Sequence, residues 1–403
     1  MTINISPTSL RGVVKAPPSK SMGHRLLIAA GLADGVSVIR GISDSEDMHA
    51  TMDVLRALGA ECDKQGDIVT VRGIDPRRAA KASASCRECG STLRFFIPIC
   101  LLSGADITLS GSPRLFSRPL GVYEELCREQ GLGFDRRETE VALRGTLRSG
   151  DFSIPGDISS QFISGLLFAL PLCDGDSTLR LIPPVESRSY IDMTLDALAT
   201  FSIRAEWCDE LTLCIPGGQS YRATDAIVEG DYSNAAFFLA LRALGMDVDM
   251  TDLPEHTRQG DRVCVDYFRA LANGTPTLSI GDCPDLGPIL MAVAAAKNGC
   301  VLTDTHRLKI KESDRGEAMA QELAKLGVRV DLTHDTITVH GGMLHAPREP
   351  LSGHNDHRIV MALSTLCTLV GGTIEGAEAV RKSLPDYFEI LKSIGSEINQ
   401  HEA

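Results

Sequence analysis

Aromatic side chains are scarce in this 403-residue chain, at 5% overall with one tryptophan, Trp207. No apolar run approaches the roughly 20 residues that span a bilayer; stretches such as Ile289 to Ala296 fall far short. The opening segment MTINISPTSLRG also has no apolar stretch that would serve as a secretory-signal core. Basic charge is not in surplus: 40 Lys and Arg against 53 Asp and Glu leave a net charge of −13, with no basic tail. That balance argues against nucleic acid or an anionic membrane as a partner. The twelve cysteines are scattered. Their one CxxC spacing, Cys86 with Cys89, has neither a second CxxC nor a histidine pair to complete a zinc site. They are expected to be reduced thiols in a cytoplasmic protein. What is present is ordinary globular material, 43% hydrophobic with mean hydropathy of +0.01, and the length predicts two or three domains.

A unit recurs along the chain: a polar or Gly/Pro turn, a helix-period apolar stretch, a glycine, then a short alternating strand. The copies begin at Ser19, Gly90, Ser160, Tyr232, Pro284 and Asn355. Their turn glycines, Gly35, Gly104, Gly175, Gly245, Gly299 and Gly371, lie 69, 71, 70, 54 and 72 residues apart. Between copies runs a helix ending at glycine and then a hairpin, as in VLRALGAECDKQGDIVTVRG and ELAKLGVRVDLTHDTITVHGG. Six units of about 70 residues are too bulky for an ordinary solenoid. They predict two α/β domains of three units each, with a seam near Ile227 to Gly230.

The helix starts carry the cations. Pro17 to Arg25, PPSKSMGHR, surrounds a predicted helix N-terminus with Lys20, Ser21 and Arg25, a good oxyanion site. ECGSTLR places Gly90 and Ser91 at another start, with Arg94 on its first turn, and glycine there admits close approach of a ligand. Arg118 precedes a proline and should be extended. Ser159, Ser160 and Gln161 open a third helix, and Ser187 and Tyr190 lie in ESRSYID. Further on, KIKESDR packs Lys311, Glu312 and Arg315 together. The i, i+4 spacing of Lys311 and Arg315 predicts a shared helical face. NDHR brings His357 and Arg358 to the sixth start, Lys382 lies in RKSLPDYF, and Asp285 in CPDLGP opens the fifth copy. Each motif alone reads equally well as a cap or a surface ion pair. Together they spend nearly every helix start on groups that bind anions.

The ordered set SKS(x3)R, Gly-Ser/Thr-(x2)-Arg, Leu-(x2)-Arg-Pro, SSQ, S(x2)Y, PD, KESDR, NDHR and K(x2)PDYF resembles the EPSP synthase (3-phosphoshikimate 1-carboxyvinyltransferase) family along essentially the whole chain. The resemblance implies an inside-out α/β fold of two domains, each a threefold βαβαββ assembly with its helices packed inside. The domains would be 14–227 and 1–13 with 228–403, the active site lying between them. It implies transfer of the enolpyruvyl group of phosphoenolpyruvate to the 5-hydroxyl of shikimate 3-phosphate, releasing phosphate, with no metal or redox cofactor. Shikimate 3-phosphate would be held by Lys20, Ser21, Arg25, Ser159, Ser160, Gln161, Ser187, Tyr190, Asp285 and Lys311. Phosphoenolpyruvate would be held by Lys20, Gly90, Arg118, Gln161, Arg315, Arg358 and Lys382, supported by Arg94 and His357. Asp285 would take the hydroxyl proton and Glu312 would protonate the methylene carbon, Lys20 sharing in proton transfer. Glyphosate is the implied inhibitor, and a monomer without nucleic-acid or membrane partners is expected.

Two departures stand out. Many relatives carry Asn-Ala before the glycine where this chain has Glu88 and Cys89, and an anionic Glu88 suits a phosphate site only if it points away or pairs with Arg94. Relatives also often offer the shikimate an asparagine upstream of KESDR, and THRLKIK has none. The related enolpyruvyl transferases acting on UDP-N-acetylglucosamine use a cysteine-bearing loop before the Arg-Pro stretch; Gly111 to Ser117 has no cysteine. A non-catalytic ring clamp on nucleic acid would spread its cations over an inner face rather than gather them beside Asp285 and Glu312.

Overall fold

The structure, a computed structural model, describes residues 1–401. Six apolar helices form at the six repeat starts: α1 (Lys20–Gly31), α2 (Gly90–Cys100), α3 (Ser160–Ala169), α4 (Tyr232–Ala243), α5 (Gly287–Ala296) and α6 (His357–Val370). Polar residues at their starts fix where they begin. The Ser159 hydroxyl accepts the Gln161 N–H, Asp231 that of Ser233 and Asp356 that of Arg358, meeting donors that have no partner inside the helix. Beyond their polar starts the helices are mostly apolar and largely buried, as core helices must be. In α3 every residue except Gln161 is buried, and in α2 every residue except Ser91. The polar starts are thus the only parts of these two helices open to a ligand.

The sheets repeat as the helices do. In the second copy, Ala82–Ser85 runs parallel to Ile107–Ser110, which pairs antiparallel with Glu140–Arg144, and that strand pairs antiparallel with Gly133–Arg136 at its other edge. Among the described residues four other four-stranded sheets follow this order, two of them completed by distant chain. The first borrows Ala226–Ile227 for its parallel edge, and the sixth inserts Thr2–Ile5 between Gly372–Glu375 and Ile398–His401. The fourth copy explains the short interval. Its strand Asp247–Thr251 pairs only with Arg11–Lys15, and the outer helix Cys264–Asn273 leads to Thr277–Ser279 without a hairpin.

Two units result. One, Lys20–Glu229, is continuous; the other joins Met1–Ser19 to the chain from Gly230 onward. The breaks fall at 19/20 and 229/230 rather than at 13/14 and 227/228. Arg11–Lys15 is zipped to Asp247–Thr251, and Pro18 bridges Gly230, so residues 14–19 stay with the split unit.

The few aromatics are spent in the cores. In the continuous unit Tyr123 meets Phe162 edge-on, ring centres 4.9 Å apart, while its hydroxyl lies 2.8 Å from the Arg94 carbonyl and 2.9 Å from that of Phe162. Gly165 makes this approach of α2 and α3 feasible, since a Cβ there would stand 2.3 Å from the Tyr123 oxygen and 2.5 Å from the Arg94 carbonyl. In the split unit α4, α5 and α6 pack pairwise around Phe237, Ile289 and Ile359. The expectation of reduced cysteines fails at one place. Cys208, just past the strand Glu206–Trp207, and Cys214, on the strand Thr212–Ile215 paired with it, have Cα atoms 5.9 Å apart and are bonded; the other ten are thiols, nine of them buried. Among the described residues no helix is long and apolar enough to cross a membrane.

Candidate active site

In the continuous unit the starts of α1, α2 and α3 form one hydrogen-bonded assembly. Gln161 is its hub: its Oε1 accepts Arg94 Nη1–H at 2.7 Å and its Nε2 donates to Ser91 Oγ at 2.9 Å. Arg94 also donates to the Pro119 carbonyl at 3.0 Å and lies over the Phe162 ring. Arg94 therefore orients Gln161 and the Arg118–Pro119 segment. Arg118 is extended (φ −73°, ψ 153°), as the following proline requires. Its guanidinium covers Gly90 so closely that a Cβ there would lie 2.6 Å from Arg118 Nη1.

Arg25 is buried and wholly engaged by backbone and hydroxyl oxygens. It donates to Thr194 Oγ1 (2.8 Å), the Ser21 carbonyl (2.7 Å) and the Tyr190 carbonyl (2.8 Å), and it stacks on the Phe95 and Tyr190 rings. Burial lowers its pKa to about 10, and the Tyr190 hydroxyl partly opposes this; it stays charged at neutral pH. Ser187 sits in the left-handed region (φ 55°), and its side chain does not cap the helix Arg188–Thr200 that follows. Lys20 Nζ is 2.9 Å from Asp47 Oδ2. Asp47 belongs to an outer helix, Glu46–Ala57, and carries no motif, so it was missed in the sequence.

The split unit is built on charge. Asp285 lies 2.8 Å from Arg315 Nη1, 3.2 Å from Lys311 Nζ and 3.3 Å from Arg358 Nη2. Arg315, whose side chain is 1% exposed, is held further by Glu312 at 2.7 Å and by the fully buried Asp356 at 2.8 Å. Burial opposes its charge, but Asp356, Glu312 and Asp285 together raise its pKa above the ordinary value. Lys311 lacks that surplus of carboxylates. Burial pulls its pKa down to about 8, Asp285 pushes it back up in part, and Arg307 and Arg315 lower it further.

Arg358 also donates to the Ser233 carbonyl at 2.7 Å, and Lys382 Nζ to the Asn355 carbonyl at 2.7 Å. His357 is buried at the first turn of α6, its Nδ1 3.9 Å from Asp356. Asp356, the cap of α6 and partner of Arg315, is a second residue the sequence reading missed, although the D of NDHR named it.

One local expectation is corrected. Lys311 and Arg315 do not share a helical face: the helix begins only at Arg315, with Asp314 as its side-chain cap, and Lys311 is extended (φ −85°, ψ −162°). Ser and Asp compete for backbone donors and favour caps over helix interiors. The two cations meet at Asp285 from different backbone conformations. Arg94 is engaged by Gln161 and Pro119, while Glu88 lines a separate hollow with Ser85, Arg87 and Thr139. Cys89, too, has a neighbourhood the sequence did not reveal. Its Sγ accepts the Thr92 N–H at 3.4 Å and faces His24 Nε2 at 3.8 Å, while Asp47 lies close by. Burial raises the thiol pKa to about 12 and drives that of His24 well below its ordinary value.

Residues 5–391 match the family model described as EPSP synthase (3-phosphoshikimate 1-carboxyvinyltransferase). A protein of that name from Clostridium kluyveri is 38% identical over 99% of this chain and 98% of its own length. One from Clostridium perfringens is 38% identical over 97% of both. Among solved structures, EPSP synthase from Acinetobacter baumannii superposes with a TM-score of 0.82 at 21% identity, covering all of both chains. The enolpyruvyl transferase NikO from Streptomyces tendae does so with 0.76 at 16% identity, covering 99% of this chain and 98% of that one. The chain belongs to the EPSP synthase (3-phosphoshikimate 1-carboxyvinyltransferase) family.

Proposed function

We propose that the chain moves the enolpyruvyl group of phosphoenolpyruvate to the 5-hydroxyl of shikimate 3-phosphate, its clustered cations holding the two anions. Family membership supplies the reaction class. The observation that carries the assignment of roles is the convergence of Lys311, Arg315 and Arg358 on Asp285. Three cations around one carboxylate are more than that carboxylate needs for pairing. Incoming phosphate and carboxylate oxygens can recruit the arginines bidentately, which suits their planar fork.

Shikimate 3-phosphate is assigned to Lys20, Ser21, Arg25, Ser159, Ser160, Gln161, Ser187, Tyr190, Asp285 and Lys311. Phosphoenolpyruvate is assigned to Lys20, Gly90, Arg118, Gln161, Arg315, Arg358 and Lys382. When ligand oxygens draw the cations away, Asp285 becomes the stronger acceptor and takes the proton of the attacking hydroxyl as its oxygen bonds to the substituted carbon of the enol. Glu312 delivers a proton to the methylene carbon. Loss of a proton from the resulting methyl group then expels phosphate and restores the double bond. Lys20, steadied by Asp47, assists at the departing phosphate. Orientation of both substrates and stabilisation of developing charge by fixed cations supply most of the acceleration.

The reading extends to a cytoplasmic monomer in which glyphosate, a phosphonate bearing a carboxylate, occupies the phosphoenolpyruvate position beside Gly90. The test is phosphate release in the presence of each substrate and of both. Release that requires both supports the reaction; release from phosphoenolpyruvate alone, or none with both, overturns it.

A further inference from the structure

We propose that His24, Asp47 and Cys89 form a binding site for a thiophilic divalent cation of the zinc type. The side chains come from three segments: His24 from α1, Asp47 from the helix Glu46–Ala57, and Cys89 from the turn that opens α2. A ligand atom from each lies within 4.8 Å of the other two. One ion with bonds of roughly 2.0–2.3 Å can therefore reach all three after small side-chain rotations.

The imidazole is already set as a ligand. Thr51 Oγ1 lies 2.7 Å from His24 Nδ1 and is itself 2.8 Å from Thr92 Oγ1, which leaves Nε2 facing the sulfur 3.8 Å away. A hydrogen bond at one ring nitrogen is what orients a metal-binding histidine through the other.

The charges balance. Binding breaks the Cys89 S–H bond and forms a sulfur–metal bond, the proton leaving to solvent. The resulting thiolate and the Asp47 carboxylate then neutralise a dication, with His24 as a neutral donor. The donor set of sulfur, imidazole and one carboxylate selects zinc, cobalt or cadmium over magnesium or calcium. The site also borrows the carboxylate that holds Lys20, 2.9 Å away. On the reading that Lys20 serves both substrates, an ion here inhibits by drawing Asp47 from it.

The experiment uses the full chain and Co²⁺ as the probe. Titration should give a near-ultraviolet thiolate-to-cobalt charge-transfer band saturating at one ion per chain, which Zn²⁺ displaces. Cys89→Ala should weaken binding by more than the about 10–100-fold that loss of an outer hydrogen-bond partner costs. Cys62→Ala, at the one half-buried thiol, should leave the band intact. No band in the unaltered protein, or a band that survives in Cys89→Ala, overturns the site. Should Cys89→Ala fail to fold, X-ray absorption of the zinc-loaded protein decides: one sulfur in the coordination shell supports the site, and none refutes it. A one-to-one band without inhibition of phosphate release upholds the site and counts against the role given to Lys20.

Discussion

The two units solve the problem of holding anions by different means. At its helix starts the continuous unit leans on neutral partners: Arg25 and Arg94 are held by carbonyl, hydroxyl and amide oxygens and by aromatic faces, beside the ionic Lys20–Asp47 pair. The split unit places Asp285, Glu312 and Asp356 around Arg315 and surrounds Asp285 with three cations. On the proposed reading, partners that keep full charge on one side and cancel it on the other make the continuous unit a standing anion receptor. The split unit must exchange an internal carboxylate for a ligand, so its affinity and its chemistry are coupled.

The sharpest way to break this contrast is at the carboxylates themselves. Asp285→Ala and Glu312→Ala should each lower kcat by about 10²–10⁴, the range for losing a general acid or base, with the circular dichroism spectrum unchanged. Near-normal turnover in either variant removes that residue from its role.

Stability should separate the units next. Asp356→Ala leaves Arg315 buried and short of its innermost partner and should cost roughly 3–5 kcal/mol in urea unfolding. Asp47→Ala removes one partner of Lys20, whose side chain is 15% exposed against 1% for Arg315, and should cost less, roughly 1–3 kcal/mol. Equal losses would mean that the split unit's ion pairs are no more committed than the others.

The third test is pH. Lys311 titrates at about 8 in the fold, below its ordinary 10.5, chiefly through burial. As pH rises through 8 it loses charge, so KM for shikimate 3-phosphate should climb over the next unit or two. Its contribution to stability moves the other way. The unfolded chain holds this proton more tightly, so the burial penalty is present in full below pH 8 and is relieved between 8 and 10.5. Lys311→Met should flatten the KM profile. Arg25, at about 10, predicts no such rise from the continuous unit below pH 9.

The smallest expected effect is at Gly90. A Cβ there would meet the far end of the Arg118 side chain, which can move. Gly90→Ala should therefore raise KM for phosphoenolpyruvate by about tenfold or less while weakening glyphosate inhibition more, as measured by competition against phosphoenolpyruvate. Inhibition that is not competitive would place glyphosate elsewhere.

The sequence announced the six helix starts because a buried helix must be apolar throughout, and a polar cap and a glycine must bracket it. It could not announce where those helices lie. That the helices are inside follows from the family resemblance, since an apolar stretch reads the same at any core position. The cationic motifs were legible because each is a local string. Asp47, the pairing of Asp356 with Arg315 and the His24–Cys89 approach were not, because they depend on which outer helix or turn packs over which start. KESDR shows the limit from the other side: its spacing suggested a helix face, but Asp314 caps the helix three residues beyond Lys311.

The strand Thr2–Ile5 lies between Gly372–Glu375 and Ile398–His401, which gives the molecule a schedule during synthesis. At roughly 5–20 residues per second, the first strand emerges tens of seconds before either neighbour exists. The continuous unit can close on the ribosome during that interval. The split unit cannot complete this sheet until translation has passed its last strand, so a ribosome stalled late leaves a finished half tethered to an exposed, unpaired edge. That edge is where chaperone engagement and aggregation of nascent chains should concentrate.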